Sequence, residues 1–471
     1  MKLKSINPYT GKTIREFEPF TDLKIDKCIL DSVDAFEDWK STSFETRKKK
    51  MLAVSELLKS NATLYGKIIS EEMGKPISES KAEVEKCAWV CEYYANEAEI
   101  FLHREAVAAD THEAFVQYEP LGTILGIMPW NYPFWQVFRF AAPTLMAGNV
   151  ILLKHASNVQ RSAATIEKIF TETGFPTGVF QNLVIGSGKV KSVIDHDAVK
   201  AVTLTGSEAA GSSVAELAGK NIKKTVLELG GNNAYIVLND ADIDKAAETG
   251  ALARLQNAGQ SCIAAKRFMI QKDISEEFIT KFHHEMNKFD LGDPLEKETK
   301  MGPLSSVEQA KKVEKQVDKS VEMGAEIVMG GTCDGANYPP TLVKNVRPGM
   351  PLFDEEVFGP VAPIMFFDQV EEAIELSNKS KYGLGVSLFT NNLEQAVELA
   401  PEFDDGAVFV NELVKSDPRL PFGGTKRSGY GRELALNGIR EFVNTKTFYV
   451  NKLHDPKKKK RKAYISMGDP G

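Results

Sequence analysis

No apolar run in this sequence reaches the roughly 18 residues that a membrane helix needs, so the reading assigns no membrane span. No signal-peptide pattern is present either: Met1-Lys2-Leu3-Lys4 leads straight into the polar Asn7-Pro8-Tyr9-Thr10-Gly11. Cysteine is scarce, five in 471 residues. An odd, sparse set (Cys28, Cys87, Cys91, Cys262, Cys333) excludes a disulfide framework and fits a reducing cytoplasm. The seven histidines show no ligand spacing, and the adjacent His283 and His284 read as surface, so no metal is expected. There is no basic excess: 58 Lys and Arg face 65 Asp and Glu, and a net charge of −7 argues against nucleic acid as a partner. The dinucleotide fingerprint Gly-x-Gly-x-x-Gly is missing. Gly186-Ser187-Gly188 lacks the third glycine, and Gly206 to Gly211 has phosphate-loop glycine spacing without the lysine of an NTPase. A glycine turn entering a helix can still hold a pyrophosphate at the helix N-terminus. On residues alone, that reading and a plain turn balance evenly.

What is present describes a globular protein. Hydrophobic residues make up 42% and charged residues 26%, the proportions of a soluble chain with a packed core. The length allows two or three subdomains. Residues 1 to 20 read as an extended piece broken by a Pro-Tyr-Thr-Gly turn. Asp22 caps a helix with Ile25, Cys28, Ile29, Val33 and Phe36 at helical spacing. Further helical patterns cover 43 to 72 and 76 to 104. The second holds Cys87 and Cys91 one turn apart beside Trp89, and core packing is the better reading of that pair than a metal site. Ala114 to Tyr118 reads as a hairpin strand.

From Gly122 short apolar runs alternate with helices. Thr123–Met128, Val150–Lys154 (followed by a helix that Ser157 caps), Val179–Val184 and Ala201–Leu204 are buried strands of a parallel sheet. Such sheets bind nucleotides beyond the carboxyl ends of their strands. A second alternation begins after Gly231, with strands at 235–238 and 267–270, helices at 242–257, 275–289 and 305–323, and further units over 362–412. The fold class is therefore α/β, with two doubly wound domains meeting near Gly230-Gly231.

Two side chains at that junction can carry chemistry. Glu228 ends the run Thr225-Val226-Leu227; a carboxyl at the end of a buried strand is desolvated, which raises its pKa and suits it to act as a base. Cys262 lies among small residues near Lys266 and Arg267, a setting in which a thiol pKa is expected to fall. Each also has a plain reading, a surface acid and a packed small hydrophobe.

Six motifs decide between these readings: Pro129-Trp130-Asn131-Tyr132-Pro133, Thr205-Gly206-Ser207, Glu228-Leu229-Gly230-Gly231, Gly259-Gln260-Ser261-Cys262, Glu356-Val357-Phe358-Gly359-Pro360 and Pro421-Phe422-Gly423-Gly424. In their order and separations they resemble the aldehyde dehydrogenase superfamily, across nearly the whole chain. The segment from Asn131 to Ser157 and the run Ser416-Asp417-Pro418-Arg419 most resemble bacterial succinate-semialdehyde dehydrogenases.

The resemblance implies an atypical Rossmann-like NAD(P)-binding domain (1–105 and 120–230), a catalytic domain (231–440) and an oligomerisation ribbon (106–119 and 441–454) of a homodimer or homotetramer. It implies Cys262 as nucleophile, Glu228 as base, and Asn131 with the Cys262 N–H as oxyanion donors. It places Trp130, Lys154, Ser157, Gly206, Ser207, Leu229, Glu356 and Phe358 around NADP or NAD. An acid is common at the Ser157 position in relatives that prefer NAD, and a serine removes its repulsion of a 2′-phosphate. For substrate it points to Arg139 and Ser416. Gln256 stands where some of these enzymes carry a second arginine, and Arg139 has a salt-bridge reading besides. Trp135, with Phe134 and Phe138, offers an aromatic entrance. The implied reaction oxidises an aldehyde, foremost succinate semialdehyde, to its acid. A broad or aromatic aldehyde specificity is the nearest alternative; a thiol esterase or a non-catalytic scaffold is more distant. The tail 455–471, with Lys457 to Lys462, reads as a flexible, solvated basic segment, though it also has the composition of a nuclear-localisation or anionic-surface patch.

Overall fold

The computed structural model describes residues 2–452, and the basic tail lies outside them. A hairpin (Leu3–Ile6 with Thr13–Phe17) precedes four helices, Asp22–Trp39, Phe44–Ser60, Ala62–Met73 and Ile77–Phe101. Two local expectations are corrected here. Thr21, not Asp22, caps the first helix, its Oγ1 accepting the Lys24 N–H at 3.3 Å. The pattern over 43 to 72 is two helices broken at Asn61, whose side-chain amide donates back to Leu57 O at 3.0 Å.

The first sheet has six strands in the order Gly429–Tyr430, Lys224–Glu228, Val199–Thr205, Thr123–Met128, Val150–His155, Phe180–Asn182. All neighbours are parallel except the first pair. The four longer parallel strands are almost wholly buried, as near-continuous apolar runs require when helices cover both faces. The second sheet has seven strands in the order Glu326–Met329, Thr341–Lys344, Val361–Phe367, Ala265–Gln271, Asn233–Val237, Val386–Phe389, Val408–Val410, parallel apart from the first pair. Each sheet carries its own hydrophobic core.

A third, antiparallel sheet pairs Val443–Val450 with Glu113–Pro120 over eight positions, with Phe448 stacked on Phe115 at 4.6 Å. The tail of the second half returns to the first: Gly429 pairs with Glu228 and Tyr430 with Leu227.

The helix Gln160–Glu172 is not capped by Ser157. Its N-terminus is buried, and the carboxylate of Glu72 accepts from the N–H groups of Arg161 and Ser162, both at 2.8 Å. A carboxylate from a distant helix thus serves both the orphan donors and the helix dipole.

Candidate active site

The strands ending at Met128, His155, Thr205 and Glu228 finish at one edge of the first sheet. The loops leading into Asn233, Ala265 and Val361 come from the amino-terminal ends of strands in the second sheet. Five of the six motifs occupy these loops, and two cavities open between them, of ≈ 310 and ≈ 430 Å³. Cys262 lines both.

Close backbone approach sets the Cys262 loop. A Cβ on Gly231 would stand 2.5 Å from Cys262 O. Asn257, Ala258 and Gly259 all have positive φ, and a Cβ on Gly259 would meet Gly359 O at 2.3 Å. Two left-handed non-glycine residues are costly unless their surroundings hold them. The buried Arg254 guanidinium does so, donating to the carbonyls of Ala265 (2.9 Å), Gly259 (2.8 Å) and Gly359 (2.5 Å). Asn257 adds bonds to Asn131 O at 2.8 Å and Gln260 O at 3.2 Å. Lys266, fully buried, donates to Gly231 O, Cys262 O and the Glu356 carboxylate at 2.6, 3.0 and 2.7 Å. Among the described residues the Cys262 N–H has no carbonyl acceptor. Asn131 is buried and its Nδ2 donates to Gln260 O at 3.1 Å, which leaves the second amide hydrogen free.

The thiol departs from expectation. Burial pushes Cys262 up to about 11, and Glu356 and Glu228 add to that; Lys266 and Arg139 pull it down only in part. Arg267 faces elsewhere, bonded to carbonyls of Asn232, Leu376 and Ser377. Glu228 is buried with both carboxyl oxygens unpartnered. Its pKa is raised well above the carboxylate range, by burial first and then by Glu433. In this conformation it lies on the wall of neither cavity; a Cβ on Gly423 would stand 2.8 Å from its Oε1.

The larger cavity is walled by Trp130, Gly206, Ser207, Leu229, Glu356 and Phe358. Ser207 caps the helix Glu208–Lys220, accepting the Ala210 N–H at 3.3 Å, so a helix N-terminus faces the cleft. Trp130 and Phe358 meet edge to face at 5.8 Å. Lys154 and Ser157 are not on this wall; they lie at and just past the end of the neighbouring strand. Lys154 is nearly buried and has no carboxylate partner among the described residues, and burial lowers its pKa. His155 Nδ1 accepts the Ala156 N–H at 2.9 Å, so Nε2 carries the proton and donates to Pro133 O at 2.8 Å, tying the Asn131 turn to that strand.

The smaller cavity brings together Trp135, Arg139, Gln256 and Ser416. Arg139 is a buried ion-pair partner of Glu433, with its guanidinium 4.6 Å from the centre of the Phe422 ring. Phe134 and Phe138 form no entrance: both are fully buried, in a stack that continues to Phe170 and Phe180. The sequence reading missed Glu79, Lys86, Arg254 and Glu433. Glu79, Ala82, Glu83 and Lys86 lie on one face of the helix Ile77–Phe101. That spacing is a signal, but a charged stripe on a helix ordinarily marks solvent.

Residues 1–448 match the aldehyde dehydrogenase family. The chain is 45% identical over 453 residues to a probable NADP(+)-dependent succinate-semialdehyde dehydrogenase of Synechocystis, covering 96% of this chain and 100% of the relative. It is also 45% identical over 457 residues to the NADP(+) succinate-semialdehyde dehydrogenase of Mycobacterium avium, covering 96% and 97%. The crystal structure of a succinic semialdehyde dehydrogenase from Streptococcus pyogenes with NADP+ superposes with a TM-score of 0.93 at 37% identity, over 96% of this chain and 100% of that one. The chain belongs to the aldehyde dehydrogenase family.

Proposed function

We propose that the protein oxidises succinate semialdehyde to succinate with NADP, accepting NAD as well. The observation that carries this reading is the position of Cys262 on the walls of both cavities, one with a nucleotide-type helix N-terminus and one with cationic side chains. The residues present fit a dinucleotide: the capped helix entry at Ser207 suits a pyrophosphate, and Lys154 is a nearly buried cation without an acidic partner among the described residues. When bound, the nicotinamide supplies the hydride acceptor.

The protein's part is covalent. The Cys262 thiol loses its proton to solvent; the thiolate adds to the aldehyde carbon, and the carbonyl oxygen becomes an oxyanion. The free Asn131 amide hydrogen and the Cys262 N–H are its donors; each such donor is worth about 3 kcal/mol in comparable sites. Loss of hydride leaves a thioester on Cys262. Glu228 then takes a proton from water, which attacks the thioester, releases the acid and returns the thiol. This role requires Glu228 to move from beside Gly423 toward Cys262, and its carboxyl oxygens have no hydrogen-bond partner to give up in doing so.

Replacing Cys262 with Ala should end NADPH formation, a loss of about a thousandfold or more, with the fold intact by circular dichroism. Substantial residual turnover would exclude the covalent route. The free state of all five cysteines fits a cytoplasmic location. No helix among the described residues is long and apolar enough to cross a membrane.

A further inference from the structure

Three cations line the smaller cavity, Lys86, Arg139 and Lys415, and they differ in what already occupies them. Lys415 is paired with Glu412 at 2.7 Å. Arg139 is buried and ion-paired with Glu433; its Nη2 also donates to Thr205 Oγ1 at 3.3 Å. Lys86 has no carboxylate partner among the described residues. Its Nζ donates to Ser416 Oγ at 2.9 Å and lies 4.3 Å from the centre of the Trp135 ring. An ammonium has three donors, so at least one remains for a ligand, and Ser416, acting as acceptor, keeps its own O–H to donate.

The acids near Lys86 are engaged elsewhere. Glu83 pairs with Lys75 and accepts from the N–H groups of Phe134 and Trp135 at 2.8 and 3.0 Å. Asp417 is held by Arg419 at 2.6 Å. Glu79 accepts the Asn257 N–H at 2.8 Å. A partly desolvated ammonium with no counter-ion, on the wall shared with the nucleophile, is a place for an anion.

We propose that Lys86, together with the Ser416 hydroxyl, binds the carboxylate of the ω-carboxylated aldehyde and sets substrate preference, while Arg139 supports the cavity wall through Glu433. The proposal rests on the succinate-semialdehyde reading and names the group that delivers it. A charge-assisted hydrogen bond of this kind accounts for a factor of about ten to one hundred.

The test compares kcat/KM for succinate semialdehyde and for butanal, which lacks the carboxylate, in wild type, Lys86→Gln and Lys86→Arg. We expect wild type to prefer succinate semialdehyde. In Lys86→Gln the ratio should fall about ten- to hundredfold, chiefly through KM, and inhibition by succinate should weaken by a similar factor. Lys86→Arg should restore most of the ratio. A ratio is read only from folded, active enzyme, so a general loss of activity cannot imitate the result. Wild type without preference would overturn the succinate-semialdehyde reading itself. A preference kept intact in Lys86→Gln would overturn the role of Lys86 alone.

Discussion

At Cys262 burial and charge pull in opposite directions, and burial wins, with the thiol raised to about 11. Glu228 is raised as well. With succinate semialdehyde the pH profile is compound, because burial pushes Lys86 down to about 8 and its charge is lost above that. Cys262 and Glu228 must both lose a proton to act, so kcat/KM for butanal, which has no carboxylate, should rise with pH across the neutral range and continue upward through pH ~9. A flat profile between pH 7 and 9 would contradict these environments. Glu228→Gln should separate the two half-reactions: a rapid burst of NADPH, then turnover about a hundredfold or more slower. Wild-type steady-state turnover would remove Glu228 from the role of base. The identities of these residues were legible because they sit in local motifs. Their electrostatics were not. Lys266 and Arg267 are near Cys262 in sequence, yet one is engaged by Glu356 and the other by carbonyls behind the second sheet. Neighbours in sequence do not report desolvation, which is set by the whole surrounding fold.

Among the elements, the loop before Cys262 is held by Arg254, with Asn257 and Lys266 adding bonds. Arg254 serves carbonyls from two motif loops and from the strand Ala265–Gln271. Lysine cannot reproduce that planar fork. Arg254→Lys should leave buried carbonyls unsatisfied and cost about 2–4 kcal/mol, seen as a lower denaturant midpoint, with kcat reduced as the loop loses its shape. An unchanged midpoint would show that the loop holds itself. Strands with continuous apolar runs were readable, because burial on both faces imposes them. Helix ends were less so. The helix after Val150–His155 is capped by Glu72, 89 positions from Arg161, a long-range contact that no local pattern encodes. Lys86 was missed for a related reason: its helix face is charged because it borders a cavity, and a sequence shows the same stripe for solvent.

For the whole molecule, the strand Gly429–Tyr430 and its pairing with Lys224–Glu228 bear on domain assignment. We propose that the stretch from 429 to 440 be grouped with the first sheet, since the helix Ala435–Arg440 also packs on Ile77–Phe101 and Trp135–Met146. Among the described residues, the three-stranded ribbon leaves one edge of Val443–Val450 unpaired and Tyr449 exposed. An open edge of this length invites pairing with another copy. We propose that the ribbon joins copies of the chain: light scattering should give twice or four times the chain mass, and a monomer at micromolar concentration would contradict that role. The measurement closest to the central claim is the initial rate of NADPH formation with succinate semialdehyde, hexanal and benzaldehyde in parallel. The account predicts kcat/KM for succinate semialdehyde well above the other two. Comparable rates, or a preference for benzaldehyde, would contradict it.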